Sequence, residues 1–229
     1  MSKIEKKIIA IGGVGVSPES DKELDNFIIN HSKKMKNNIG FLGTASKDDK
    51  EKINKFYKRF DNTSSELSHF NLTSDIDGFH EWLLSKDIVY VGGGNTFYML
   101  EIWKKNNLEQ VFKKAYEKGL ILSGVSAGAV CWFEWILSDS MGRGFEPLKG
   151  INLIEGSCTP HSDNIERINE FEFNIKNNKL PNGVAIDDGV AVVFIDGKPT
   201  EVYSSINNHN AYFLDKNTKI NLKEYIKNI

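Results

Sequence analysis

A serine between two glycines, five histidines and two adjacent aspartates carry most of the chemistry open to this chain. Gly124-Val125-Ser126-Ala127-Gly128 has the G-x-S-x-G spacing of a nucleophile elbow, a sharp turn from strand to helix. A side chain before or after the serine would collide with neighbouring backbone, which is why the turn needs glycines. The turn lifts the hydroxyl clear of the sheet and aims it along the N-terminus of the following helix. Backbone N–H groups there face whatever negative charge develops. A simple strand-to-helix turn would also use small residues. The apolar run before the elbow and the helical spacing after it favour a nucleophile.

A serine hydroxyl is a poor nucleophile at neutral pH and needs a base, itself oriented by a third group. His31 and His80 lie in polar helical contexts and read as solvated, and His69 precedes a short strand. His161 sits in T-P-H-S-D-N, where Pro160 restrains the backbone, and His209 lies in the polar turn N-N-H-N. Chain order separates two architectures. An α/β-hydrolase places the acid before the histidine, pairing Ser126 with Asp187 or Asp188 and then His209. The other order is Ser126, His161, then Asp187 or Asp188, where the apolar run 184–186 ends. If that segment is extended, the two aspartate side chains point to opposite sides.

Gly92-Gly93-Gly94-Asn95-Thr96 is a second informative stretch. Glycines that end a buried strand and open a helix let backbone N–H groups approach a ligand closely. The pattern is neither a dinucleotide fingerprint nor a phosphate loop. It suits an oxyanion hole, with one N–H from the Gly93-Gly94 turn, assigned to Gly94, and one from Ala127. Gly93, Asn95 and Thr96 would then lie against substrate.

The elements that must hold these residues follow from periodicity. Strands are expected at 7–14, 39–43, 68–72, 87–94 and 120–123. Helices are expected at 20–35, 48–60, 76–84, from the Asn95-Thr96 cap through 104, at 108–118 and after the elbow toward 138. This alternation argues for a parallel sheet covered on both faces. The last third differs, with short strands at 184–186, 190–195 and 201–204 and a hairpin turn at Asp196-Gly197. A helix is expected from about Arg167 through Phe173. No linker, repeat or low-complexity tract interrupts the 229 residues, so 1–229 reads as one domain. A net charge of −2 offers no case for nucleic acid or an anionic membrane. Cys131 and Cys158 have neither disulfide nor zinc spacing, and Cys131 reads as a buried thiol. Without an apolar run of spanning length or a signal-peptide core, a soluble cytoplasmic protein is expected. No metal or organic cofactor is implied, and the oligomeric state stays open between monomer and homodimer.

Taken together, V-G-G-G-N-T-F (91–97), G-V-S-A-G-A (124–129), P-H (160–161) and A-I-D-D-G (185–189) resemble the S51 serine peptidases. That family contains dipeptidase E, which cleaves after N-terminal aspartate, and cyanophycinase. The resemblance implies a fold similar to the class I glutamine amidotransferases: a three-layer α/β/α, flavodoxin-like, mostly parallel sheet with serine replacing their cysteine. It makes Ser126 the nucleophile and His161 the base, with Asp188 where relatives usually carry glutamate. Asp139 competes for that third role, and Asn95 would help bind substrate.

The reading is a serine-type hydrolase forming an acyl-enzyme on a small peptide. Its alternatives are a non-catalytic small-ligand-binding protein on the same scaffold and an esterase using His209. The arginine-rich segment after the histidine in dipeptidase E is shorter here and offers only Arg167. Arg167 could grip a substrate carboxylate through paired hydrogen bonds. Alternatively it forms a surface ion pair with Glu166 or Glu170.

Overall fold

Continuous apolar runs become strands buried on both faces, and they build the centre of the protein. A computed structural model describes residues 4–61 and 63–228. In chain order its first half runs β1 (Lys7–Ile11), α1 (Pro18–Asn30), β2 (Asn38–Leu42), α2 (Lys50–Phe60) and β3 (Glu66–Phe70). It continues with α3 (Phe79–Leu84), β4 (Ile88–Val91), α4 (Thr96–Lys105), α5 (Leu108–Glu117) and β5 (Ile121–Val125). The second half comprises α6 (Ala127–Val130), β6 (Phe133–Ser138), β7 (Glu146–Lys149), β8 (Ile154–Thr159) and α7 (Ile165–Lys176). It ends with β9 (Gly183–Ile186), β10 (Val190–Ile195), β11 (Lys198–Ser204), β12 (Ala211–Leu214), β13 (Lys219–Asn221) and α8 (Leu222–Lys227).

The strands form two sheets. The first has the order β11-β10-β1-β5-β4-β2-β3. Its five strands from β1 to β3 are parallel, and β10 and β11 extend it antiparallel beyond β1. Along β1 side chains alternate, so Ile9 and Ile11 pack under α1 and α2 while Ile8 and Ala10 face the other way. On that other side the sheet meets α3, α4 and α5, with Trp103, Phe112 and Trp132 in contact, giving the expected α/β/α layering. Asp196-Gly197 turns β10 into β11 with both residues at positive φ (51° and 80°), the hairpin geometry expected there.

A second sheet, of order β13-β12-β9-β8-β6-β7, was not legible in the sequence. It packs on the same core as the first sheet through Ile136, Ile154, Val184 and Ile186, and α7 covers its outer face. The helix expected after the elbow is therefore corrected: α6 is a single turn, and 133–138 is strand β6. The cause is long-range. The carbonyls of Cys131, Trp132 and Phe133 are taken by N–H groups of the 151–154 segment, so no helical ladder forms. Among the described residues no helix is long and apolar enough to cross a membrane.

Behind the first sheet, α1 and α2 are joined by an ion pair whose carboxylate is buried. Arg59 donates from Nε to Asp25 Oδ2 at 2.8 Å and from Nη2 to Oδ1 at 2.6 Å. Burial pushes the Asp25 carboxyl up even beside its partner. Removing one partner leaves an uncompensated buried charge, so Arg59→Ala should lower unfolding stability by about 3–5 kcal/mol in urea titration. Burial also pushes the Cys131 and Cys158 thiols well up. Neither should react with a thiol reagent until the chain unfolds, and fast labelling of the native protein would contradict their packing.

Candidate active site

Ser126 stands where β5 ends and α6 begins, at φ 53° and ψ −114°. Such a backbone state costs a non-glycine residue about 1–3 kcal/mol and persists only where its surroundings enforce it. Here they do. The Ser126 N–H donates to the Ile11 carbonyl at 2.9 Å, and its carbonyl accepts from Ala129 and Val130 at 2.9 and 3.1 Å. A Cβ on Gly124 would overlap the Gly128 carbonyl, and one on Gly128 would overlap the Val91 carbonyl. The two glycines thus let the turn close onto β4.

His161 follows β8 and Pro160, also at positive φ (51°). Its carbonyl accepts from the Asn164 N–H at 3.0 Å, and Asn164 caps α7. The resulting turn brings His161 Nε2 to 2.8 Å from Ser126 Oγ. On its other side His161 Nδ1 lies 2.5 Å from Asp188 Oδ1. A carboxylate can only accept, so Nδ1 carries the proton and Nε2 is left to accept from the serine hydroxyl.

Asp188 lies between β9 and β10, where the chain crosses from the second sheet to the first. A bridge to Gly13 fixes it, and its N–H donates to Asp163 Oδ1 at 3.0 Å. Asp187 turns the opposite way and is buried. It accepts from the Ser162 hydroxyl at 2.5 Å and from the Asn210 N–H at 2.9 Å. His209 does not approach Ser126; its Nδ1 lies 2.8 Å from the Asp188 carbonyl, to which it donates. Asp139 is not the third member of the series either, because its carboxylate pairs with Arg167.

A cavity of about 310 Å³ opens beside Ser126 and His161, lined by Gly94 and Thr96 on one side and by Asp139 and Arg167 on another. The N–H groups of Gly94 and Ala127 meet no acceptor among the described residues. Gly93 lies close to Ser126, and its carbonyl accepts from Lys52 Nζ at 3.0 Å. Two expectations need correcting. The Asn95 side chain caps α4 through Tyr98 N–H at 2.7 Å and donates to the Ser140 carbonyl at 3.0 Å. It thus ties α4 to the tip between β6 and β7, and Asn95 is not among the residues that line the cavity. Arg167 is buried and paired with Asp139, not with Glu166 or Glu170 at the surface.

Gly13, Asp163 and Ser162 support the site without having been singled out. Gly12-Gly13 ends a buried strand just as Gly92-Gly93-Gly94 does, and that signal could have marked it. A methyl group on Gly13 would overlap the Asp188 carboxylate and approach the His161 ring. Gly13→Ala should therefore separate Asp188 from His161 while the fold survives. In proton NMR the downfield resonance of the His161 Nδ1 proton should vanish in Gly13→Ala and Asp188→Ala and persist in His209→Ala.

Residues 8–202 match the description Peptidase family S51. The chain is 38% identical over 213 residues to the uncharacterized peptidase YgaJ of Bacillus subtilis (strain 168), covering 90% of this chain and 91% of that one. It is 25% identical over 176 residues to an uncharacterized peptidase of Listeria innocua, covering 70% and 80% of the two chains. In fold it is similar to a peptidase from an acI-B1 Actinobacterium, with a TM-score of 0.71 at 16% identity over 96% of this chain and 95% of that one. A Listeria monocytogenes protein described as a candidate peptidase E superposes with a TM-score of 0.59 at 17% identity, over 95% and 98%. With a family match over most of its length and a close relative across nine-tenths of it, the chain belongs to peptidase family S51.

Proposed function

We propose that this peptidase hydrolyses small peptides through an acyl-enzyme on Ser126, with His161 as general base and Asp188 orienting it. The observation that carries the reading is the unbroken series Ser126 Oγ, His161 Nε2, His161 Nδ1, Asp188 Oδ1, with contacts of 2.8 and 2.5 Å. His161 takes the hydroxyl proton as Ser126 attacks the scissile carbonyl. It returns that proton to the leaving amine as the tetrahedral intermediate collapses, and water then reverses the sequence. Asp188 keeps the ring in the tautomer that leaves Nε2 free and stabilises the imidazolium that forms.

The oxyanion is assigned to the N–H groups of Gly94 and Ala127, each typically worth about 3–4 kcal/mol in the transition state. Gly93 and Thr96 bound the space for substrate. A cavity of about 310 Å³ lies at the small end of the range for small-molecule sites, which favours short substrates over folded chains. The site joins residues of both sheets, and we take 1–229 as one domain on that ground.

Fluorophosphonate labelling and hydrolysis of a dipeptide panel test the reading. Wild type should label and turn over, and Ser126→Ala should do neither. His161→Ala should lower kcat by about 10³-fold or more, whereas His209→Ala should cost less than about 10-fold. Loss of activity in His209→Ala but not in His161→Ala would transfer the base to His209 and favour the esterase architecture. Ligand-induced stabilisation without any turnover or labelling would favour a binding protein.

A further inference from the structure

The charged wall of the cavity does not fit an acidic substrate. Arg167 is only 7% exposed, and its charge is paired. Its Nη2 donates to Asp139 Oδ2 at 2.9 Å, its Nη1 to the Leu137 carbonyl at 3.5 Å, and its guanidinium stacks 4.6 Å from the centre of the Phe145 ring. Asp139 is the accessible member, with a side chain 58% exposed against 8% for Arg167. Its Oδ1 has no partner among the described residues. Val130, Ile136, Leu137 and Pro160 also border the cavity, but the first three are fully buried and the surface it presents is mainly polar.

We propose that Asp139 sets the charge preference of this cavity, consuming the charge of Arg167 and offering its own free oxygen to a substrate ammonium group. The inference rests on the peptidase reading above for the word substrate alone; the binding preference stands independently of turnover. A carboxylate entering the cavity meets Asp139 at the wall, and the guanidinium behind it is already neutralised at hydrogen-bond distance. The attraction that Arg167 alone would exert is largely cancelled. An ammonium group finds an acceptor with an open lone pair. That ammonium could be the N-terminus of a peptide or the end of a lysine side chain. Asp139 is thus a specificity-determining residue, and Arg167 holds its carboxylate in place.

The test is calorimetric binding to the Ser126→Ala protein, which cannot turn its ligands over. The ligands are Leu-Ala, Lys-Ala, Asp-Ala, N-acetyl-Leu-Ala and N-acetyl-Lys-Ala. Lys-Ala, which carries an ammonium group at both places, should bind at least about 10-fold more tightly than Asp-Ala, and Leu-Ala should match it when the N-terminus is the group bound. Adding Asp139→Asn, which keeps the side-chain shape and removes its charge, should strengthen Asp-Ala by about 10-fold or more and weaken Lys-Ala. Loss of binding on acetylating both Leu-Ala and Lys-Ala assigns the ammonium to the N-terminus. Retained binding of N-acetyl-Lys-Ala assigns it to the side chain. A preference for Asp-Ala in the Ser126→Ala protein, an order unchanged by Asp139→Asn, or no binding of any ligand would each overturn the inference. If the binding order holds while wild type hydrolyses none of the peptides, the peptidase mechanism fails and the charge preference remains.

Discussion

The turn at Ser126 is the constraint on which the rest of the site depends. Its backbone is held at positive φ because the N–H of Ser126 is committed to β1 and Gly128 is pressed against β4. No residue larger than glycine fits at Gly124 or Gly128, so the chain cannot relax by sliding away from the sheet. The cost is local and of order 1–3 kcal/mol, while the anchoring strands are wholly buried and belong to the most protected part of the fold. The hydroxyl is thereby fixed relative to the parallel strands before any substrate arrives.

The other two members of the hydrogen-bonded series come from the second sheet and its crossing back to the first. After Ser126 the chain leaves the first sheet and enters β6, and after β9 it returns through Asp187-Asp188-Gly189 into β10. Both crossings lie at the same end of the molecule, where β8 also delivers His161. The adjacent aspartates divide the work by direction. Asp187 is buried and locks the crossing to Ser162 and Asn210, while Asp188, held by Gly13 and Asp163, faces the imidazole. With a donor on each oxygen, the buried Asp187 carboxylate has hydrogen-bond partners and makes a rigid base for its neighbour.

His209, read from sequence as a rival base, acts from behind. It donates to the Asp188 carbonyl and so braces the crossing without touching the serine. Arg167 makes a comparable point about charge. Its side chain lies beside the cavity as its position after His161 suggested, yet its partner is a residue on a different element, the tip that follows β6. The identity of a charged residue near a site says little about the sign of the field there until its partner is known.

Much of the site was legible in the chain because its signals are local. G-x-S-x-G must be a tight turn, glycines ending an apolar run must open a strand onto a helix, and Pro160 before His161 must restrain a loop. Each follows from backbone sterics over five or six residues, and the parallel half of the first sheet follows from apolar runs alternating with helical periodicity. The second sheet was not legible, because Trp132 to Leu137 carries an apolar pattern that suits either a helix or a strand. Carbonyls committed to residues 151–154 decided between them. Tertiary structure alone decided that Asp188 and not Asp139 meets His161, that Asn95 and His209 serve as struts, and that Arg167 is neutralised. Those outcomes depend on which groups meet across elements 21 to 45 residues apart, and a single sequence records no such pairings.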